Sequence, residues 1–157
     1  MLLRAVRHRW SFFAVLSLVS FGLNWPWEVA QMGAYAEMAA RPWPETVLPC
    51  ALAGVGDAAL TLAVAGVGAL AAGQLGWAWS GRWNVYATAA LLGGACASAY
   101  EWYGLAAGRW SYTDRMPVVP LLRVGCWPLL QLILLMPASF WCARLVLIGR
   151  GWRGSWV

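Results

Sequence analysis

Charged residues are scarce in this 157-residue sequence, and lysine is missing altogether. Asp, Glu, Lys and Arg make up 11% of the residues, less than half of the roughly 25% found in soluble domains. The apolar fraction is 62%, above the usual value of roughly 45–50%. A chain with so little charge is not an ordinary soluble domain, because it cannot cover a globular surface with polar groups.

Ligands for transition metals are also scarce. The single histidine, His8, precedes the first apolar stretch, and the four cysteines show no C-x-x-C or other metal-ligand spacing. No metal site is therefore predicted, although carboxylates alone could still hold a hard cation. The sequence has no P-loop, no dinucleotide-binding glycine motif and no G-x-S-x-G, and it implies no particular cofactor. A disulfide between Cys50 and Cys126 would be permitted in an oxidising compartment.

What the sequence does contain is four long stretches with little charge. They cover about residues 10–34, 47–75, 83–107 and 118–148, and the last has its helix proper at 126–148. A helix needs about 20 apolar residues to cross a bilayer. The predicted fold class is therefore all-α. Residues 1–157 form a single transmembrane domain, a four-helix bundle of a polytopic membrane protein.

The net charge of +5 comes from eleven arginines against six acidic residues, and the arginines lie near the ends of the helical segments. Seven arginines fall on the side of the two termini and four on the other side. By the positive-inside rule, both termini are expected in the cytoplasm of a bacterium whose inner membrane holds the protein. Because the arginines fix topology, no nucleic-acid partner is expected. The larger set is Arg4, Arg7, Arg9, Arg82, Arg144, Arg150 and Arg153.

Three polar residues share one helical face near the end of the first stretch. In NWPWEVAQ, residues 24–31, Asn24, Glu28 and Gln31 stand at i, i+4 and i+7. A carboxylate inside a membrane is costly unless it faces protein or water. Pro26 predicts a kink here. The alternative is that these side chains simply lie at the membrane interface.

The remaining three stretches each carry a polar group at a similar depth, namely Asp57, Glu101 and Gln131. With both termini inside, all of these groups fall in the outer half of the bilayer, or at its middle for Asp57. The pattern predicts an outward-facing intramembrane polar pocket. Aromatic and basic residues expected to contribute to ligand binding are Trp27, Tyr100, Trp110, Tyr112 and Arg115.

Residues 108–128 are broken by proline and glycine, yet they are too apolar for an ordinary solvated loop. A re-entrant or interface-lying lid before the fourth helix is predicted, with its backbone covered by protein or water. The alternative is an amphipathic loop anchored by Trp110 and Tyr112. The tail after residue 148 is basic and contains tryptophan, as a membrane-surface anchor does.

Small residues recur at close spacing in the second stretch. This pattern allows helices to approach closely in lipid, within the bundle or against a partner. The small-residue faces of the second and third helices are thus candidate contacts with a second copy or with a membrane complex. The residues in the second stretch are Gly54, Ala58, Ala65, Ala69 and Gly73.

These observations favour a pocket for a lipidic or isoprenoid small molecule. A second hypothesis is a membrane-embedded acid–base enzyme acting on an isoprenoid or carotenoid, with Asp57 or Glu101 as the acid and Glu28 as partner. Aromatic faces would stabilise a developing carbocation there. A third hypothesis is an accessory or structural subunit of a membrane complex, and a fourth is a small proton-coupled transporter.

Several sequence blocks resemble known membrane proteins. WEVAQMGAY (27–35), Gly56-Asp57 and residues 108–131 are similar to a group of small uncharacterised bacterial multi-pass membrane proteins. The thirteen tryptophans and RPWP (41–44) resemble the tryptophan-rich sensory proteins, five-helix proteins that bind porphyrins and sterol-like ligands. The W-x-Y element at 110–112, followed by prolines, resembles membrane carotenoid cyclases and implies isoprenoid chemistry. Those enzymes have paired glutamates where this chain has Leu130-Gln131.

Overall fold

The structure, a computed structural model, describes residues 2–74 and 76–149, with side chains from residue 11 onward. The side chains of Arg4, Arg7 and Arg9, and the basic tail with Arg150 and Arg153, lie outside the described residues. The structure therefore describes the side chains of only some of the arginines on which the predicted orientation depends.

The described chain is mainly helical. Short 3₁₀ turns at Met32–Ala34 and Trp77–Trp79 precede α2 and α4. The α-helices and strands are α1 (Leu2–Gln31), α2 (Ala36–Ala39), α3 (Trp43–Ala71), α4 (Trp83–Ala106), β1 (Val118–Val119), β2 (Val124–Gly125) and α5 (Cys126–Gly149).

Three helical segments are long and apolar enough to cross a membrane: Ser11–Ala34, Trp43–Ala71 and Cys126–Gly149. The prediction of a helical membrane protein is confirmed to the extent that three helices could cross a membrane. Large apolar side chains also point outward, as in Leu18, Leu70 and Leu91, which are 73%, 80% and 76% exposed. Such an apolar surface suits a lipid environment. A fourth crossing and the side of each terminus stay predictions.

The helix ends follow local chemistry. Pro44 lies in the first turn of α3, where the missing N–H costs nothing, so this helix begins before the predicted residue 47. Gly73 has a φ of 61° and follows the end of α3 at Ala71, earlier than the predicted residue 75. α1 continues through Pro26 without interruption.

The stretch predicted as 118–148 is helical only from Cys126. Residues 118–125 instead form a small antiparallel hairpin, in which Val118 pairs with Gly125 and Val119 with Val124. Arg123 closes its turn with a φ of 56°, in the left-handed region. Pro117 and Pro120 explain why no helix forms here, since proline cannot donate to a helical hydrogen bond.

α1 lies between α3 and α5, and α4 packs on the far side of α5. Glycines make two of these contacts close. A Cβ on Gly54 would lie 3.2 Å from the backbone nitrogen of Trp25 in α1, and a Cβ on Gly93 would overlap the carbonyl oxygen of Leu132 in α5. The small residues Gly54, Ala58, Ala65 and Ala69 are buried within the chain. A contact of these faces with another molecule stays a prediction.

Apolar side chains fill the half of the bundle near the start of α1. Phe12 packs on Trp79 with 4.4 Å between the ring centroids, and Leu16, Met136 and Phe140 are fully buried beside them. Cys50, Cys96, Cys126 and Cys142 are free, so Cys50 and Cys126 do not form the disulfide considered above.

Candidate functional site

A hydrogen-bonded polar network joins α1, α3 and α5, the helices that contain the three segments long and apolar enough to cross a membrane. Asn24, Glu28 and Gln31 lie on the face of α1 that meets α3 and α5, as their spacing indicates. Asp57 comes from α3 and Gln131 from α5. Asn24 and Gln131 are 0% and 2% exposed, so the centre of the network is sealed from solvent.

The amide of Gln131 is the centre of this network. Its Nε2 atom lies 3.0 Å from Asn24 Oδ1, 2.8 Å from Glu28 Oε1 and 2.8 Å from Asp57 Oδ2. Its Oε1 atom accepts a hydrogen bond from Gln31 Nε2 at 2.7 Å. A primary amide carries two hydrogens, so three acceptors compete for two donated bonds.

Glu28 and Asp57 form a carboxyl pair. Both accept from the same Gln131 nitrogen, and they lie within hydrogen-bonding distance of each other. Gln31 Nε2 also donates to Glu28 Oε1 at 3.0 Å. These amide donors are neutral, and two carboxylates in contact do not both ionise readily away from water. The geometry is therefore suited to hold one proton between two carboxyl groups.

Two hydroxyl groups that were not predicted from the sequence extend the network. Asn24 Nδ2 donates to the carbonyl oxygen of Ser20 at 2.9 Å, and Ser20 Oγ donates to Thr61 Oγ1 at 3.0 Å. Thr61 Oγ1 in turn donates to the carbonyl oxygen of Asp57 at 2.8 Å. Ser20 precedes Asn24 by four residues and Thr61 follows Asp57 by four. Helical spacing was therefore the signal that could have found them.

Glu101 belongs to a second cluster. Its carboxylate accepts hydrogen bonds from Tyr35 Oη at 3.1 Å and from Tyr112 Oη, and it is 3% exposed. The N–H of Gly125 donates to Tyr112 Oη at 2.8 Å. Burial, and after it the neighbouring Glu101 carboxylate, raises the pKa of Tyr35 and of Tyr112 above the ordinary value of tyrosine. Both hydroxyls are therefore hydrogen-bond donors at neutral pH.

Glu101 is close enough to Glu28 to act on it electrostatically, but it is not hydrogen-bonded to the network in the described residues. A single shared pocket stays a prediction. The hydrogen bonds described for Glu101 go to tyrosines of the connecting segments and not to Glu28 or Asp57. Tyr35 was not identified from the sequence, because it lies between helices, where no periodicity predicts a partner.

The segment between α4 and α5 is hydrogen-bonded to the connection between α1 and α3. Thr113 N donates to the carbonyl oxygen of Ala34, and Ala36 N donates to that of Ser111, both at 3.0 Å. The backbone N–H and the hydroxyl of Ser111 each donate to the Glu37 carboxylate at 3.0 Å. Slight burial opposes ionisation of Glu37, but these hydrogen bonds outweigh it and lower the pKa of this carboxyl. This segment is an ordered cover, and its re-entry into the membrane stays a prediction.

An open cavity of about 350 Å³ lies between the end of α1 and this cover. Gln31 belongs both to its wall and to the polar network. Trp27 Nε1 donates to Gln31 Oε1 at 3.2 Å, which fixes one aromatic wall against the network. The lining residues are Trp27, Ala30, Gln31, Gly33, Ala34, Arg115 and Trp127.

The predicted site residues therefore fall into three groups. Asn24, Glu28, Gln31, Asp57 and Gln131 form the network, while Trp27 and Arg115 line the cavity with Gln31. Glu101, Tyr112 and Trp110 form the second cluster, in which the buried Trp110 indole N–H lies beside the Glu101 carboxyl. Tyr100 is 55% exposed, and its ring centroid is 5.2 Å from that of Trp110.

The part of the chain that the structure describes has no cluster of three or more His, Cys, Asp or Glu residues arranged to hold a metal ion. No family model, curated protein or solved structure matches this chain. Its function is therefore argued from the network, the second cluster and the cavity.

Proposed function

We propose that this chain is a four-span protein of the bacterial inner membrane, with both termini in the cytoplasm. In this proposal its outward-facing pocket binds a lipidic or isoprenoid small molecule. The observation that carries the proposal is the open cavity of about 350 Å³, whose wall residue Gln31 is also part of the buried network. Pockets for small ligands occupy roughly 300–1,000 Å³.

The lining chemistry supports an amphiphilic ligand. Trp27 and Trp127 provide aromatic walls for an apolar body, whereas Arg115 provides a charged group for a polar end. A cavity of about 350 Å³ is near the lower end of the range for ligand pockets. It suits the polar end of a lipid and the first part of its chain, with the remaining chain lying among the membrane lipids.

The depth of the network supports a binding site more than a proton-coupled transporter. A transporter needs polar groups along its path through the membrane. In the described residues, the network extends from Gln31 to Ser20 and Thr61. Beyond these hydroxyls, the next side chains on the same helix faces are Leu16 and Val64, which are buried and apolar.

A second candidate is the acid–base enzyme acting on an isoprenoid. The observation that favours it is the Glu28–Asp57 carboxyl pair, in which Glu28 accepts a hydrogen bond from the cavity-wall residue Gln31. A carboxyl that holds a proton is the donor such chemistry needs. Asp57→Asn distinguishes the two candidates. An enzyme loses turnover and retains the molecule, whereas a binding protein has no turnover to lose.

The test of the proposed function is to identify what purifies with the protein. The chain is extracted from membranes in mild detergent, and native mass spectrometry with lipid extraction gives the mass of any bound molecule. Trp127→Ala removes one cavity wall, and we expect it to lower the bound fraction by about tenfold, the effect of roughly 1.4 kcal/mol of lost contact. Trp43→Ala is the matched control, because Trp43 is exposed and lies outside the cavity.

Two results would count against the proposal. One is a preparation without any bound lipidic molecule in mild detergent or in native membrane extracts. The second is equal retention of the molecule by Trp127→Ala and Trp43→Ala, which would mean that it is bound elsewhere on the apolar surface. In that case the accessory-subunit hypothesis would explain the polar network as a means of joining the helices.

A further inference from the structure

Arg115 is the charged residue among those that line the cavity. Its backbone is held, because Thr113 Oγ1 accepts from its N–H at 3.3 Å and Trp127 Nε1 donates to its carbonyl oxygen at 3.4 Å. Among the described residues, its guanidinium has no hydrogen bond and no ion pair. Two other arginines do have partners. Arg41 Nε donates to the carbonyl oxygen of Glu37, and the guanidinium of Arg109 lies 5.0 Å from the ring centroid of Tyr103.

The guanidinium of Arg115 reaches over the end of α1. A Cβ built on Gly33 would lie 3.5 Å from Arg115 Nη1. The hydrogen bonds between the Arg115 backbone and the side chains of Thr113 and Trp127 hold residue 115 at the cavity wall. The cavity therefore has a cation with five unused N–H donors, and Trp27 and Trp127 line the same cavity.

In the described part of the chain, no acidic group forms an ion pair with this cation. Glu28, Asp57 and the adjacent Asp114 are absent from the cavity lining, and Glu28 is hydrogen-bonded to Gln31 and Gln131. The side-chain amide of Gln31 donates to Glu28 and to Gln131, so its hydrogens point into the network and away from the cavity. The charge presented to a ligand is therefore positive.

A planar guanidinium binds a phosphate or carboxylate through two parallel hydrogen bonds, whereas a neutral hydrocarbon makes no use of it. We infer that the cavity binds an amphiphile whose phosphate or carboxylate end group pairs with Arg115 and whose chain lies against Trp27 and Trp127. This inference rests on the proposed function and narrows its ligand from any lipidic molecule to an anionic one.

The experiment measures binding to the full-length protein in nanodiscs of zwitterionic phosphatidylcholine. Two pairs of probes share a chain and differ in charge: farnesyl phosphate with farnesol, and palmitate with hexadecanol. Inorganic phosphate is the probe without a chain. The variant is Arg115→Gln, and the control is Arg123→Gln, which removes an arginine from the same connecting segment but outside the cavity lining.

We expect the wild-type protein to bind at least one charged probe about tenfold or more tightly than its neutral counterpart, as charge-assisted hydrogen bonds imply. Arg115→Gln should remove this preference, while Arg123→Gln keeps it and the affinity for the neutral probes is unchanged in both. Arg115→Lys retains the charge without the paired geometry and should give an intermediate affinity, which also shows that position 115 tolerates substitution.

Equal binding of charged and neutral probes by the wild type, or full retention of the preference in Arg115→Gln, overturns the inference and leaves the proposed function intact. Inorganic phosphate binding as tightly as farnesyl phosphate also overturns it, because the site would then be one for a free anion. Failure of every chain-bearing probe to bind contradicts the proposed function itself.

Discussion

Gln131 is the side chain on which the polar network depends. It is an amide, and this matters because two carboxyl groups already face it. A third carboxylate would add repulsion, whereas the amide supplies donors to Glu28 and Asp57 and an acceptor to Gln31. The neutral Gln131 side chain therefore connects three helices without adding charge to the membrane interior.

Gln131→Met should destabilise the protein by about 3 kcal/mol or more, because each buried polar group left without a partner costs roughly 1–3 kcal/mol. Methionine has a similar volume and length, so the change removes the amide with little change in packing. Unfolding in mixed micelles with increasing denaturing detergent measures the loss. Gln74→Met, at an exposed position between helices, serves as the control and should have no measurable effect. Similar midpoints for both variants would exclude a stabilising role for Gln131.

Part of this network could be predicted from the sequence. Asn24, Glu28 and Gln31 share a face whatever the rest of the chain does, because helical periodicity alone fixes their relative directions. Their partners depend on how separate helices pack, which no spacing encodes. Glu101 illustrates the limit, since its partners Tyr35 and Tyr112 both lie in connecting segments.

Among the elements, α4 and α5 come into close contact at Gly93. A Cβ on Gly93 would meet the backbone carbonyl oxygen of Leu132, and backbone cannot move aside as a flexible side chain can. Gly93 therefore sets the separation of these helices. Close approach of this kind is a means of helix association in lipid, where the hydrophobic effect does not drive helices together.

Gly93→Ala should destabilise the protein by about 1–3 kcal/mol, the usual cost of overpacking. Gly66→Ala in α3 is the matched control, because a Cβ there meets no atom within 4 Å. This control should be neutral or more stable by up to about 1 kcal/mol, since alanine favours a helix over glycine. Thermal unfolding of both variants in the same detergent makes the comparison. Equal stability of the two would mean that α4 and α5 are further apart than described.

The hairpin before α5 could not be predicted as a pair of strands. From the sequence, Pro117 and Pro120 predict only that no regular helix forms in this segment. Strands of two residues are too short for an alternating pattern of apolar and polar side chains to identify them. Their pairing is completed by contacts outside the hairpin, such as the bond from Gly125 N to Tyr112 Oη.

For the whole molecule, the order of packing is α3, α1, α5, α4, and the two outer helices have few contacts with each other. The polar network thus lies among the inner pair of helices and α3, while the second cluster lies at the end of α4. This arrangement allows an opening near the end of α1. The order of the helices was not predictable from the four apolar stretches, because the connecting segments permit several arrangements.

The proposed four-span orientation gives a labelling pattern. In a variant without native cysteines, Leu121→Cys lies in the turn of the hairpin at a position that is 91% exposed, and Ser80→Cys lies in the connection between α3 and α4. We expect a membrane-impermeant maleimide to label Leu121→Cys in cells whose cytoplasmic membrane is intact, and Ser80→Cys only after that membrane is broken. The reverse pattern would invert the orientation. Labelling of both in intact cells would contradict the crossing by α4.

The position of Gln131 on the last helix has a consequence for biosynthesis. A chain is made from its first residue onward, so Glu28 and Asp57 are synthesised and inserted before their shared amide partner exists. Until α5 is added, these two carboxyl groups lack the donor that later holds them together. A ribosome that stops before Cys126 therefore releases a fragment in which Glu28 and Asp57 lack the donor from Gln131. That chemical difference between an unfinished and a finished molecule is available to proteases that remove incomplete membrane proteins.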